Sequence, residues 1–119
     1  MVDVDVPHYK WVIAVDGSDH SMEAFNQCFK EFYENDDHIS VVSVTDKSKS
    51  YLPLKFQPNA IYDTYHTILL SHVTKEHYNI KMIEKNKDTP VRKHVLEYVN
   101  EEKATMLFFG YRGRKGENQ

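Results

Sequence analysis

A run of five apolar residues, Trp11-Val12-Ile13-Ala14-Val15, closed by Asp16-Gly17-Ser18, constrains the fold of this chain more than any other stretch. Its β-branched residues and lack of alternation mark a strand buried on both faces, and Asp-Gly-Ser ends it in a tight turn. An amphipathic helix follows at once. Ser18 or Asp19 can cap it by accepting from one of its first unpaired N–H groups, and Ala24, Phe25, Cys28, Phe29 and Phe32 form one apolar stripe. Strand, glycine-containing turn and helix open a right-handed βαβ unit. In open α/β sheets ligands sit at the carboxyl ends of the strands, where Asp16 stands.

The same alternation continues down the chain. Residues 1–9 are an acidic, irregular lead-in with Pro7, and residues 10–119 form the domain. After the polar turn Glu34-Asn35-Asp36-Asp37, the β-branched run Ile39–Thr45 reads as a second strand. Residues 47–57 have no period and form a loop. Its Tyr51, Leu52, Leu54 and Phe56 either fold back over the edge of the core or serve as a lid or partner contact. Pro58 suits the first turn of a helix reaching to about Tyr78. Ile80–Glu84 is a less apolar strand, suited to a sheet edge. Thr89 is placed to cap a third helix with Pro90 in its first position, and Lys103 to complement the negative end of its dipole. Thr105–Phe109 is a fourth, continuously apolar strand, followed by the basic, glycine-rich run 110–119. Alternating strands and helices imply a mainly parallel sheet covered by helices on both faces.

Composition narrows the function. With 119 residues the chain has room for one domain and one core, and its net charge of −3 gives no broad basic field for nucleic acid. The single cysteine, Cys28, forms no internal disulfide and reads as a small core residue. No apolar run approaches the length of a membrane span, so a reducing, cytoplasmic setting without membrane contact is the expectation.

Chemistry-bearing residues are few. Gly110-Tyr111-Arg112-Gly113 follows a buried strand, where glycines can turn several N–H groups toward an anion while Arg112, Arg114 and Lys115 add charge. The same residues also fit a plain turn before a solvated tail. They form neither a P-loop nor the three-glycine dinucleotide fingerprint. Asp16 can accept from ribose hydroxyls or can simply stabilise its turn. The histidines lack metal-ligand spacing, and Ser18 and Ser21 lack a nucleophile elbow or a base. No enzyme activity is expected.

Together these residues resemble the universal stress protein family. The strand ending in Asp16-Gly17-Ser18 with Ser21 and Ala24, and the later Asp88-Thr89-Pro90, helix and Ala104–Gly113 run, are similar to that family's pattern from about Lys10 to Lys115. The resemblance implies an open, mostly parallel, doubly wound α/β sheet of Rossmann-like, adenine nucleotide alpha hydrolase-like type. Its strand order would be 3-2-1-4-5. It also implies a cofactor, ATP or another adenine nucleotide with or without magnesium, although some members of the family bind none. Asp16, flanked by Val15 and Gly17, would meet the ribose and the Val44 backbone the adenine. Gly110 and Gly113, with Arg112 and Arg114, would meet the phosphates.

The pattern departs from the family at its end. The third glycine with its Ser or Thr, the fourth helix and the fifth strand would all fall past Gln119, and Thr105 stands at a commonly acidic position. The expected order is therefore 3-2-1-4 with the fifth strand missing, in a natural short form or in part of a longer chain. Loss of several phosphate donors, at about 1.5–3 kcal/mol for each bond to a charged group, would turn a micromolar site millimolar unless Arg112, Arg114 or Lys115 replaces them. Two functions follow as expectations. One is a regulatory, nucleotide-binding domain. The other is an interaction module that pairs with a protein partner or a second copy through the edge of the fourth strand.

Overall fold

The computed structural model describes residues 9–109. Residues 1–8 of the lead-in, and Gly110, Arg112, Gly113, Arg114 and Lys115 of the final run, lie outside the described residues. Four strands form one parallel sheet in the order β3-β2-β1-β4: β1 (Lys10–Ala14), β2 (His38–Thr45), β3 (Tyr78–Glu84) and β4 (Met106–Phe109). The expected order 3-2-1-4 and the α/β class are those observed. β1 and β2 lie inside the sheet and carry its most buried residues, which is why their sequences do not alternate. β3 lies at an edge, as its weaker hydrophobicity required.

Helices cover both faces. On one lie α1 (Asp19–Gln27) and α2 (Pro58–His72), which with Cys28 just after α1 pack Phe25, Ile61, Tyr65 and Leu69 against Ile13, Val15 and Val41. On the other lies α3 (Val91–Glu102), which packs Val95 and Tyr98 against Val12, Ala14 and Val42. The Tyr98 and Ser40 hydroxyls share a hydrogen bond (2.7 Å) and Tyr98 accepts from Asn79 Nδ2 (2.9 Å), so these polar atoms under α3 are paired.

The helix ends differ from the sequence expectations in four places. Ser18 does cap α1, its Oγ accepting from Ser21 N at 3.2 Å. The apolar stripe, however, breaks where Cys28–Phe32 widens into a π-turn, which carries Phe32 outward to 44% exposure against Phe108 and Trp11. α2 stops at His72 rather than near Tyr78, because Val73 and Thr74 take extended backbone before a short 3-10 turn (Lys75–His77) leads into β3. Pro90, not Thr89, occupies the cap position of α3 with φ −64° and ψ 153°, and no side chain caps that helix. Lys103 closes α3 through its backbone, in the left-handed conformation with φ 54°.

The amino-terminal edge of the sheet is tied by a residue that reads in sequence as part of a polar turn. Asp37 is buried and accepts from Trp11 Nε1 (2.9 Å), Tyr9 N (3.1 Å) and Glu34 N (3.1 Å). This leaves the opposite, carboxyl-terminal edge as the open one.

Candidate functional site

At the carboxyl ends of the strands the turn after β1 is fixed by its own polar side chains. Ser18 N donates to Asp16 Oδ1 at 2.9 Å, Asp16 N to Ser21 Oγ at 3.3 Å, and Ser21 Oγ to Ser18 O at 3.0 Å. Asp16 therefore satisfies the turn with one carboxylate oxygen. Its Oδ2 has no hydrogen bond from a described residue, and the side chain is exposed. Both sequence readings of Asp16, turn residue and ligand acceptor, are compatible with this one geometry.

Gly17 has a different part. It adopts φ +87°, and a Cβ there would sit 2.4 Å from the carbonyl oxygen of Lys55 and 3.2 Å from Cα of Phe56. The loop between β2 and α2 is thus laid directly over the turn after β1. Gln57 Nε2 holds that loop closed by donating to the carbonyls of Leu52 (2.8 Å) and Ser50 (3.2 Å), and Lys55 Nζ lies 3.7 Å from Asp19. The loop's apolar residues divide between the two sequence readings. Leu52 and Phe56 are half-buried, while Tyr51 and Leu54 are 74% and 79% exposed.

Between this loop, the strand ends and the start of α3 lies a cleft of about 720 Å³, within the range that holds a drug-sized ligand. Val15 and Asp16 line it from just after β1, Val44 from β2, and Phe109 from the end of β4, with Ile61 and Val91 as apolar walls. Gly17 is not among the lining residues. The register explains the opening. The last rung between β1 and β2 is Val15 N donating to Val42 O at 2.9 Å, and β4 ends at Phe109, level with Ala14. Backbone groups alternate sides along a strand, so those of Val44 face the same way as Val42, where β1 has already turned off. The cleft also falls where the strand order reverses, between β1 and β4.

Two polar features of the cleft were not singled out by sequence. Ser43 is 1% exposed, lines the cleft, and its Oγ has no hydrogen-bond partner among the described residues. Lys49, Lys85 and Arg92 line it as well. Asp46 is nearby, its carboxyl held below the usual range first by the Ser48 hydroxyl (2.7 Å), then by Ser48 N–H, and further by Lys85 and Lys49. The signal that could have found the lysines and Arg92 is the one that picked Asp16. Lys49, Lys85 and Arg92 also follow strand ends at the carboxyl edge.

The remaining nucleophile is sequestered. Cys28 is fully buried, and burial, with the negative charge of Asp37, pushes its thiol up to about 12. Tyr65 is raised by burial as well, opposed by the nearby Ser21 hydroxyl and helped by the negative charge of Asp16. Among the described residues no group of three His, Cys, Asp or Glu is placed to hold a metal ion, and no helix is long and apolar enough to cross a membrane.

Fold and cleft define an open parallel α/β domain with a crevice at its switch point. The sequence matches the universal stress protein family over residues 9–119, and the chain belongs to that family. Among solved structures, the crystal structure of protein Rv1636 from Mycobacterium tuberculosis H37Rv is similar, with a TM-score of 0.60 and 20% identity, over 89% of this chain and 74% of that one. That likeness is one of fold. No protein of curated function matches the chain in sequence. Members of the family are generally regulatory rather than catalytic.

Proposed function

We propose that this chain is a regulatory domain that binds an adenine nucleotide in the cleft and carries out no reaction on it. The observation that carries the proposal is the pairing of two open hydrogen-bonding elements across the cleft: the backbone edge of Val44, left by β1, and Asp16 with one carboxylate oxygen uncommitted. An adenine edge suits the first and a ribose hydroxyl the second. The lining apolar residues Val15, Ile61, Phe56 and Phe109 suit a planar base. The phosphates would be met by Gly110 and Gly113 with Arg112 and Arg114, which follow β4 in sequence, and magnesium would accompany a triphosphate. The test is isothermal titration of ATP into the chain and into Asp16→Ala. Micromolar binding that weakens at least about tenfold in the variant supports the proposal, as loss of one charged hydrogen bond would produce. Absence of binding at millimolar ATP, or equal affinity in both proteins, overturns it.

A second reading has its own observation. β4 is bonded only to β1 among the described strands, and Met106 and Phe109 on it are 50% and 37% exposed. Such an edge suits pairing with a second copy or another protein. Light scattering that gives a monomer at high concentration would refute self-association.

A further inference from the structure

Besides the residues after β4, the described part of the cleft offers the ligand's anionic end a second wall that sequence did not suggest. Three cations line the cleft from three separate elements: Lys49 after β2, Lys85 after β3 and Arg92 in the first turn of α3. They face two lining carboxylates, Asp16 and Asp46, in a chain whose net charge is −3. Lys49 and Lys85 act on Asp46, and Lys85 Nζ also donates to the carbonyls of Asn86 (3.1 Å) and Lys87 (3.5 Å). Arg92 differs from both. Its guanidinium has no ion pair or hydrogen bond among the described residues.

Arg92 also sits where α3 begins without a side-chain cap. Lys93 and His94 turn their N–H groups back to Pro90 O, whereas those of Val91 and Arg92 have no such partner. The Ser43 hydroxyl, buried and unpartnered among the described residues, lies on the other face of β2, the one shared with Val41 and Met82. We infer that a phosphate group of the bound nucleotide is held on this α3 wall. Arg92 would make the direct, forked contact, and Lys49 and Lys85 would supply positive potential around it. The inference rests on the nucleotide reading and assigns that site its phosphate-binding residue.

The experiment measures adenosine, AMP and ATP by titration against the wild-type chain, Arg92→Gln, Arg92→Lys and Arg112→Gln, with thermal melts of each. Arg92 is exposed and unpartnered among the described residues, so its variants should melt with the wild type. The expected result is that AMP and ATP bind the wild type more tightly than adenosine does. Arg92→Gln then weakens AMP and ATP by about ten- to a hundredfold with adenosine unchanged. Arg92→Lys loses less, and Arg112→Gln less than Arg92→Gln. Equal affinity for adenosine and AMP in the wild type, unchanged AMP affinity in Arg92→Gln, or a larger loss in Arg112→Gln overturns the inference while the nucleotide reading stands. Failure of adenosine, AMP and ATP alike to bind the wild type removes the nucleotide reading itself, and the inference with it.

Discussion

Replacing Gly17 with alanine tests whether the loop over the β1 turn shapes the cleft. The residue has φ +87°, a region that costs a side chain about 1–2 kcal/mol. The new Cβ would lie 2.4 Å from the Lys55 carbonyl oxygen, and contacts below 3.0 Å are not tolerated, so the loop must move by the difference. That oxygen is backbone, in a segment clasped at several carbonyls by Gln57, so the displacement cannot be absorbed by a side-chain rotation. Forcing packed atoms apart in this way costs about 1–3 kcal/mol. The total, about 2–5 kcal/mol, corresponds to a melting temperature lowered by roughly 8–20 °C for a domain of this size. Urea denaturation gives the free energy directly. Gly17→Asn separates the two causes: asparagine tolerates positive φ but keeps the Cβ, so it should recover no more than the backbone share. Variants within 0.5 kcal/mol of the wild type, a bound of about the size seen for neutral surface changes, would refute the seating of the loop on Gly17. Full recovery in Gly17→Asn would refute the contact with Lys55.

Other outcomes follow from the same structure. Asp37→Ala should cost about 3–5 kcal/mol in urea denaturation, because it strands the buried Trp11 Nε1–H along with two backbone donors. A double-mutant cycle with Trp11→Phe should return part of that loss. Lys103→Gly should raise stability by about 0.5–1 kcal/mol, since the position is already left-handed; an unchanged or lower melting temperature would count against the closing geometry of α3. Cys28 should resist thiol reagents in the native state. Its thiol is raised from 9.0 to about 12, so above pH 9 the unfolded chain releases a proton that the native chain keeps. Stability should therefore fall as pH rises from about 9 toward 12, by up to about 1.4 kcal/mol per unit from this group. The raised Tyr33 and Tyr65 add to the same loss, and a flat stability profile across that range would contradict the burial described.

The topology was legible because β1 and β2 state their burial in unbroken apolar runs and because Pro58 and Ser18 mark helix starts. What escaped was set by contacts remote in sequence. Asp37 looks like one acid in a turn until the fold brings Trp11 and Tyr9 beside it. Phe32 fits a helical stripe, but the π-turn at Cys28–Phe32 carries it onto β4. Asp16 and Val44 could be placed at the cleft from their positions at strand ends. The role of Gly17 could not, because the close approach of Lys55 lies 38 residues away in sequence. Arg92, likewise, became visible only when α3 was seen to open onto the same cleft as β1 and β2.

The central claim is that an adenine nucleotide occupies the cleft bounded by Asp16 and Val44. Its most direct test is a titration of the isotopically labelled chain with AMP, followed by amide chemical shifts. Saturable shifts are expected, concentrated at Val15, Asp16, Val44, Thr45 and the first turn of α3, with β3 and the Asp37 end of the sheet unchanged. Shifts that are absent, or that gather away from the carboxyl edge of the strands, would contradict it.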